Sequence, residues 1–470
     1  MTPKPPDCLL HLSFSGGTLV LEGPGRKPVT DVLGAAPWAW DARVGGWRCD
    51  AMHYPAVVER LRDVPQSCED HVPAWHAVRW PHVAMPTLRA EQQAAVRAWQ
   101  GAGRGSIVMP SGTGKTEVAL AIMAETAVST LVVAPVRDLM YQWHRRIQQR
   151  LGYDAGIIGD NVFRVRPVSA TTYDSACIHM ERFGNQFGLL VFDECHHLPG
   201  EVRRDAARMS AAPLRLGLTA TPQRSDGRHV DLDELIGPIV YDMPISAAKG
   251  RTLADYEVVR IPVHLSAEEQ ARYDQLSRQV RAYIIERRKI NPHFQWEDLC
   301  QETAAAPEAR RVLKAYFTKK SIEDRAEEKL RVLEDLFRLH AHEPCLVFAG
   351  SNAMARDVSQ RFLIPCLLNH CGKKERLDVL RGLEERTYPA LVANRVLDEG
   401  VDLPELKVAI VIGGMASSRQ AKQRLGRILR KSGNARAVLY EIVTADTNEE
   451  QRSRTRRKSD AYQGTRHRRL

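Results

Sequence analysis

The stretch Ile107-Val108-Met109-Pro110-Ser111-Gly112-Thr113-Gly114-Lys115-Thr116 decides how this chain of 470 residues is read. A short β-branched run enters a glycine-containing loop, and Glu117-Val118-Ala119-Leu120-Ala121-Ile122-Met123 then reads as a helix. Glycines let backbone N–H groups approach a polyphosphate, and a helix N-terminus adds partial positive charge. In such a loop Gly112, Thr113 and Gly114 cradle phosphate, Lys115 reaches the β/γ-phosphates and the Thr116 hydroxyl holds Mg2+. The strict pattern G-x-x-x-x-G-K-[ST] departs at its first glycine, which falls on Met109.

Around this loop, apolar runs alternate with amphipathic helical stretches. Leu131-Val132-Val133-Ala134 precedes a helix predicted over 137–150, and Val165 to Ala170, Leu189-Leu190-Val191-Phe192 and Leu214 to Thr219 read as buried strands. After a helical, strongly charged stretch at 265–328, the alternation resumes with Cys345 to Phe348, Ala390 to Ala393, Val408 to Ile412 and Ala437 to Ile442. The expected fold is α/β, with two domains built on parallel sheets covered by helices. Ser266-Ala267-Glu268-Glu269 is a capping box opening the charged stretch, which is either a solvated helical linker or a two-helix projection.

Asp193-Glu194-Cys195-His196 follows the run 189–192 directly, 78 residues beyond Lys115. A carboxylate at a strand end can hold Mg2+, assigned to Asp193, while Glu194 orients and deprotonates an attacking water. Adjacent His196 and His197 lack the i, i+4 spacing that aims two imidazoles at one metal. Farther on, Gln423-Arg424-Leu425-Gly426-Arg427-Ile428-Leu429-Arg430 sets Arg427 and Arg430 on one helical face. Arginines so placed can stabilise charge on a transferring phosphoryl group.

The flanks differ in texture. Residues 1–80 carry five of the eight tryptophans (Trp38, Trp40, Trp47, Trp75, Trp80), a hairpin pattern around Gly16-Gly17 and balanced charge, eight Lys/Arg against nine Asp/Glu. The tryptophans either stack on unpaired bases or build a small core. Of the net charge of +10, residues 452–470 supply +7, so the basic character belongs mostly to the C-terminal end. Such a segment is either a solvated tail or a sequence-independent phosphate contact. The nine scattered cysteines contain no C-x-x-C, which disfavours a zinc, disulfide or iron–sulfur framework and fits the reduced thiols of a cytoplasmic protein. No apolar run approaches the ~18 residues that span a bilayer, and the N-terminus lacks a secretory layout.

Taken in order, the motifs from 87 to 446 resemble those of superfamily 2 helicases: Arg89-Ala90-Glu91-Gln92, P-S-G-T-G-K-T, Ala134-Pro135-Val136-Arg137, Ser169-Ala170-Thr171-Thr172-Tyr173, D-E-C-H, Thr219-Ala220-Thr221, Leu397-Asp398-Glu399-Gly400-Val401-Asp402-Leu403-Pro404, and Gln423 to Arg430. DECHHLP (193–199), LRLGLTATPQRSDGRH (214–229) and Trp40-Asp41-Ala42-Arg43 with Trp47-Arg48 are similar to the XPB branch in its short archaeal and bacterial form. The resemblance implies a small N-terminal damage-recognition domain at 1–82, RecA-like domains at 83–247 and 329–446 separated by a helical thumb at 265–328, and a basic tail at 447–470. It also implies ATP with Mg2+ bound between the RecA-like domains. Gln92 would then read adenine, Asp402 would join the nucleotide site, and Arg137, Thr171 and Thr172 would contact DNA phosphates. His196, Thr219, Thr221, Arg224 and Asp226 would couple nucleotide to DNA.

By the same resemblance the protein moves 3′ to 5′ on DNA in nucleotide excision repair. The family's Arg-Glu-Asp element reads Arg224-Ser225-Asp226 here, and the lost carboxylate bears on strand separation. Three readings remain open: a DNA-stimulated ATPase that unwinds single-stranded or forked substrates, a duplex translocase that does not separate strands, and a DNA-binding scaffold that positions a partner nuclease.

Overall fold

The structure is a computed structural model, which describes residues 10–23, 34, 37–62, 68–224, 226–244, 247, 256–368, 370–394, 406–413, 437–456 and 467–469. The chain divides into two compact units, Met1–Met243 and Pro244–Leu470.

The first unit begins with a five-stranded sheet: β1 (Leu10–Ser15), β2 (Thr18–Glu22), β3 (Ala39–Asp41), β4 (Gly46–Asp50) and β5 (Cys68–Asp70), in the order β3-β4-β2-β1-β5. The hairpin around Gly16-Gly17 forms because both glycines adopt positive φ. One sheet face packs with the helix Tyr54–Leu61 into a core of Leu12, Leu19, Leu21, Trp47, Tyr54 and Val57. Trp38, Trp40 and Trp75 pack against that core and Trp80 donates from Nε1 to Ala124 O at 3.2 Å. Trp47 is buried and the other four tryptophans are half-buried, so packing accounts for much of each ring.

The rest of the unit is an eight-stranded sheet: β6 (Arg104–Val108), β7 (Thr130–Ala134), β8 (Gly156–Gly159), β9 (Val162–Arg164), β10 (Val168–Thr172), β11 (Leu189–Asp193), β12 (Leu214–Thr219) and β13 (Ile239–Asp242). Its order is β13-β6-β12-β11-β7-β10-β8-β9, parallel except for the β8–β9 hairpin. β7, β10 and β11 are buried along their whole length, as strands covered on both faces must be. Arg215 in β12, read from sequence as part of an apolar run, is fully buried and donates to the carbonyls of Ala207, Ser210, Ala212 and Leu235. It thereby ties the ends of two one-turn helices, Asp205–Arg208 and Leu232–Leu235, to the sheet. Burial pulls its guanidinium well below the usual arginine range.

The second unit holds a seven-stranded parallel sheet: β14 (Tyr256–Val263), β15 (Cys345–Ala349), β16 (Cys366–Leu367), β17 (Ala390–Ala393), β18 (Val408–Ile412), β19 (Ala437–Thr444) and β20 (His467–Arg469), in the order β16-β17-β15-β18-β19-β14-β20. β14 was not foreseen; it precedes the charged stretch, yet pairs in register with β19 along eight residues.

Between β14 and β15, the helices Ala267–Ile290, Trp296–Glu302 and Pro307–Asp324 share their own core of Leu276, Val280, Tyr283, Phe294, Leu299, Ala309 and Val312. A solvated linker is thus ruled out for 265–328. The capping box forms as written, with Ser266 N donating to Glu269 Oε2 and Glu269 N to Ser266 Oγ.

The basic tail expected at 447–470 is corrected over its first ten residues. Asn448–Arg456 is a helix, and Glu449 and Ser453, one turn apart, are buried. Lys329 Nζ meets Glu449 Oε2 at 2.6 Å, and Ser453 Oγ donates to Glu441 Oε2. Net charge is blind to such a pattern, because the buried partners lie more than a hundred residues away or on the preceding strand.

Candidate active site

Three adjacent parallel strands, β6, β12 and β11, place their carboxyl ends side by side. Each is followed by one of the sequence motifs, and carboxyl ends of parallel strands are where open α/β sheets bind ligands. Met109 N donates to Thr219 O at 3.0 Å, locking the start of the phosphate loop to the end of β12.

Gly112 and Gly114 take φ of 83° and 81°, a left-handed conformation that favours glycine. Thr113 is buried and its hydroxyl donates to Pro110 O. Lys115 opens the helix Lys115–Thr126, and its ammonium donates to Met109 O at 3.1 Å across the loop. Thr116 follows on the first turn, partly exposed. The cradle therefore fits a polyphosphate: backbone curled by two positive-φ glycines, a helix N-terminus, and a lysine held by carbonyls rather than by a carboxylate.

Gln92 is 3% exposed and engaged at both ends. Its Oε1 accepts from Arg89 N at 2.9 Å, and its Nε2 donates to Thr113 O at 3.0 Å. Arg89 also donates to Thr113 O. A Cβ at Gly114 would collide with the Gln92 amide. Gln92 thus buttresses the phosphate loop from beneath, a contact that the motif did not announce.

Asp193 ends β11 and is 9% exposed. Its Oδ2 accepts from Trp143 Nε1 at 2.8 Å and its Oδ1 from Glu194 N at 3.0 Å. Burial, with the neighbouring Glu194 charge, pushes its carboxyl up to about 6, against the pull of the Trp143 hydrogen bond and the Lys115 charge. Glu194 sits in left-handed backbone at φ 47°, ψ 54°, uncommon for a residue with a side chain. Its buried Oε2 accepts no hydrogen bond among the described residues and lies 3.4 Å from His196 Nδ1. A buried carboxylate oxygen without a donor is costly, and such strain concentrates at functional sites.

His196 is fully buried, with Nδ1 3.0 Å from Thr219 Oγ1. Thr219 Oγ1 in turn donates to Thr221 O and accepts from Thr221 N. Arg224 donates to His196 O at 2.7 Å and makes a bidentate pair with Asp226 at 2.9 and 2.6 Å. His196 Nδ1 therefore meets Thr219 Oγ1 at hydrogen-bond distance and stands 3.4 Å from Glu194 Oε2, with Arg224–Asp226 hung on the His196 carbonyl.

The remaining predicted residues are dispersed. Arg137 opens the helix Arg137–Leu151, exposed and paired with Asp160 at 2.8 Å. Thr172 caps the helix Tyr173–Phe183 through Ser175 N. Thr171 is corrected as a phosphate contact: it is fully buried, and its hydroxyl donates to Ile158 O at 2.7 Å because β10 lies inside the sheet. Ser225, Asp402, Arg427 and Arg430 lie outside the described residues. Sequence reasoning missed Trp143 and Tyr173, whose hydroxyl donates to Asp193 O at 3.0 Å. Trp143 stands on the apolar face of its helix with Met140, Ile147 and Leu151, and nothing in that pattern says where its N–H points.

Residues 12–72 match the family described as Xeroderma pigmentosum group B helicase damage recognition domain. Residues 85–224 match Type III restriction enzyme, res subunit, and 312–469 match ERCC3/RAD25/XPB C-terminal helicase. The chain is 41% identical over 371 residues to a DNA 3'-5' translocase XPB2 of Sulfurisphaera tokodaii, covering 79% of this chain and 84% of that one. It is 31% identical over 391 residues to a DNA 3'-5' helicase XPB of Kineococcus radiotolerans, spanning 80% of this chain but 63% of that relative's length. Among solved structures, the Pyrococcus furiosus Hef helicase domain superposes with a TM-score of 0.54 at 16% identity, covering 78% of this chain and 98% of that one. That likeness shows a helicase fold. With the first relative covered over 84% of its length at 41% identity, the chain belongs to the XPB family of DNA helicases and translocases.

Proposed function

We propose that the protein is a DNA-dependent ATPase that converts ATP hydrolysis into 3′ to 5′ movement along DNA, serving nucleotide excision repair. Family membership implies ATP use, and the observation that carries the reading is the convergence of the phosphate loop, Asp193-Glu194 and Thr219 on three neighbouring strand ends. Gly112, Gly114 and Lys115 would hold the phosphates, and Thr116 and Asp193 would hold Mg2+. The metal, when bound, supplies charge neutralisation at the phosphates. Glu194 would accept the proton of the attacking water. Protonation state or position of Glu194 would reach Thr219 through His196, and Arg224–Asp226 would feel it through the His196 carbonyl.

The test is ATP turnover by the purified chain with no nucleic acid, single-stranded DNA, forked DNA, blunt duplex and RNA. Lys115→Ala should abolish turnover and leave DNA binding intact; retained turnover would overturn the site. Stimulation by single-stranded or forked DNA supports unwinding. Ser225 favours a second reading, duplex translocation without strand separation, marked by stimulation with blunt duplex and no unwinding of forks. Ser225→Glu should then raise unwinding without raising ATPase. A scaffold for a partner nuclease would instead support cleavage that persists in Glu194→Gln.

A further inference from the structure

The small N-terminal sheet gathers three metal-ligating side chains that the nucleotide site does not use. β1 and β5 run parallel with His11 opposite Glu69, so both side chains lie on one face. His71 is two residues beyond Glu69, and strand periodicity returns it to the same face. Its backbone N–H donates to Leu12 O at 2.8 Å, continuing the β1 pairing past the strand end. Leu10 and Leu12 point to the opposite face, into the core. Asp70 is also turned away, accepting from Tyr54 OH and Val72 N.

His11 Nδ1 stands 3.3 Å from Glu69 Oε2, and His71 Nε2 stands 3.4 Å from the same oxygen. These are long for N–H···O hydrogen bonds, which cluster near 2.9–3.0 Å. They match the edge of a tetrahedron around zinc: bonds of about 2.0–2.1 Å give ligand–ligand edges of about 3.3–3.4 Å. The two ring nitrogens also fall within 4.8 Å of one another, so closing that edge takes only a small rotation of exposed side chains. Their rings lie nearly parallel, 11° apart. The side chains are 40%, 51% and 61% exposed for His11, Glu69 and His71, which leaves the fourth position to water.

We propose that His11, Glu69 and His71 bind a borderline divalent cation, Zn2+ in the first instance, as a two-histidine, one-carboxylate site. Two imidazoles disfavour Mg2+ and Ca2+, which prefer oxygen ligands. The ion would clamp β5 to β1 at the root of the strap that leads into the first α/β sheet. On that strap Ala74 N donates to Asn185 O and His76 N to Ser129 Oγ. The site lies apart from the phosphate loop and stands or falls independently of the ATPase reading.

The experiment uses the full chain stripped with chelator and titrated with Co2+ and then Zn2+. The site predicts one equivalent of Co2+ with tetrahedral visible absorption and no thiolate charge-transfer band, displaced by Zn2+. His11→Ala and His71→Ala should each weaken that equivalent more than tenfold and abolish any zinc-dependent rise in Tm, with ATP turnover unchanged. Because Glu69 and His71 are exposed and His11 is half-buried on the same open face, these variants should keep the fold, checked by circular dichroism. Absence of the equivalent in the unmodified chain, its persistence in both variants, or a thiolate band in its place would each overturn the site.

Discussion

Each unit buries a cluster of charge, and the two are built on opposite terms. In the first, Glu194 leaves Oε2 without a donor, Thr221 Oγ1 is likewise unpartnered among the described residues, and Glu194 is held in left-handed backbone. In the second, Lys329 Nζ donates to both Glu449 Oε2 and Glu323 O. Glu449 Oε2 also accepts from Thr444 N, and Thr444 Oγ1 donates to Glu323 O. Arg452 pairs with Glu323 on its outer side. A fully partnered buried network fixes one packing, whereas an incompletely partnered one keeps capacity for a ligand. The difference separates the cluster proposed to do chemistry from the one that holds the helical insertion and the helix Asn448–Arg456 to the second sheet.

Exchanging function for structure at one residue in each cluster breaks this comparison most directly. Glu194→Gln should lower ATP turnover by about 10²–10⁴, the usual worth of a general base, while the urea midpoint stays put. The amide removes the charge but keeps the shape. A large stability loss with retained turnover would mean that Glu194 is structural. Lys329→Met should do the reverse. It leaves Glu449 buried without its cation, a loss of about 3–5 kcal/mol by urea unfolding. Adding Glu449→Gln should return more than half, because the amide oxygen still accepts from Thr444 N and no charge stays buried. No recovery would show that the pair matters through packing alone.

These two clusters also differ in how visible they are in sequence. The first is written in contiguous motifs: P-S-G-T-G-K-T, D-E-C-H and Thr219-Ala220-Thr221 each follow a buried strand, so strand order alone brings them together. What stayed hidden there was where single polar atoms point. Trp143 reaches Asp193 from a neighbouring helix, and Gln92 turns beneath the loop. The second cluster has no local signature. Lys329 and Glu449 are 120 residues apart, and each reads as an ordinary charge on an amphipathic helix. β14 was missed for the same reason: its run 256–263 stands alone in sequence, and only pairing with β19 makes it a strand. Arg215 shows the limit from inside a correct assignment, since the strand was legible but its buried arginine, capping four carbonyls, was not.

The second cluster also divides the basic C-terminal end. Residues up to Arg456 belong to a packed helix, so removing everything from Gln451 would damage the second unit rather than report on DNA. Changing the five Lys/Arg of 457–470 to Gln avoids this and keeps the β14–β20 ladder, which is backbone. If these cations meet DNA, the slope of log K against log salt should flatten by about 0.7–0.9 for every phosphate no longer neutralised. A slope unchanged by all five substitutions would assign the end segment to solvent.

The smallest effect expected tests whether the first cluster is tuned as well as assembled. Trp143→Phe keeps the apolar face of the helix Arg137–Leu151 and deletes the indole N–H that donates to Asp193 Oδ2. That hydrogen bond favours the ionised carboxylate, opposing the burial that pushes it upward. Hydrogen bonds to charged groups contribute about 1.5–3 kcal/mol, yet a bound Mg2+ would replace part of what Trp143 supplies. The variant should therefore need several-fold more Mg2+ for half-maximal ATP turnover and approach normal turnover at saturation. A fall in saturated turnover with the Mg2+ requirement unmoved would place Trp143 in the support of Glu194 rather than of the carboxylate proposed to hold Mg2+.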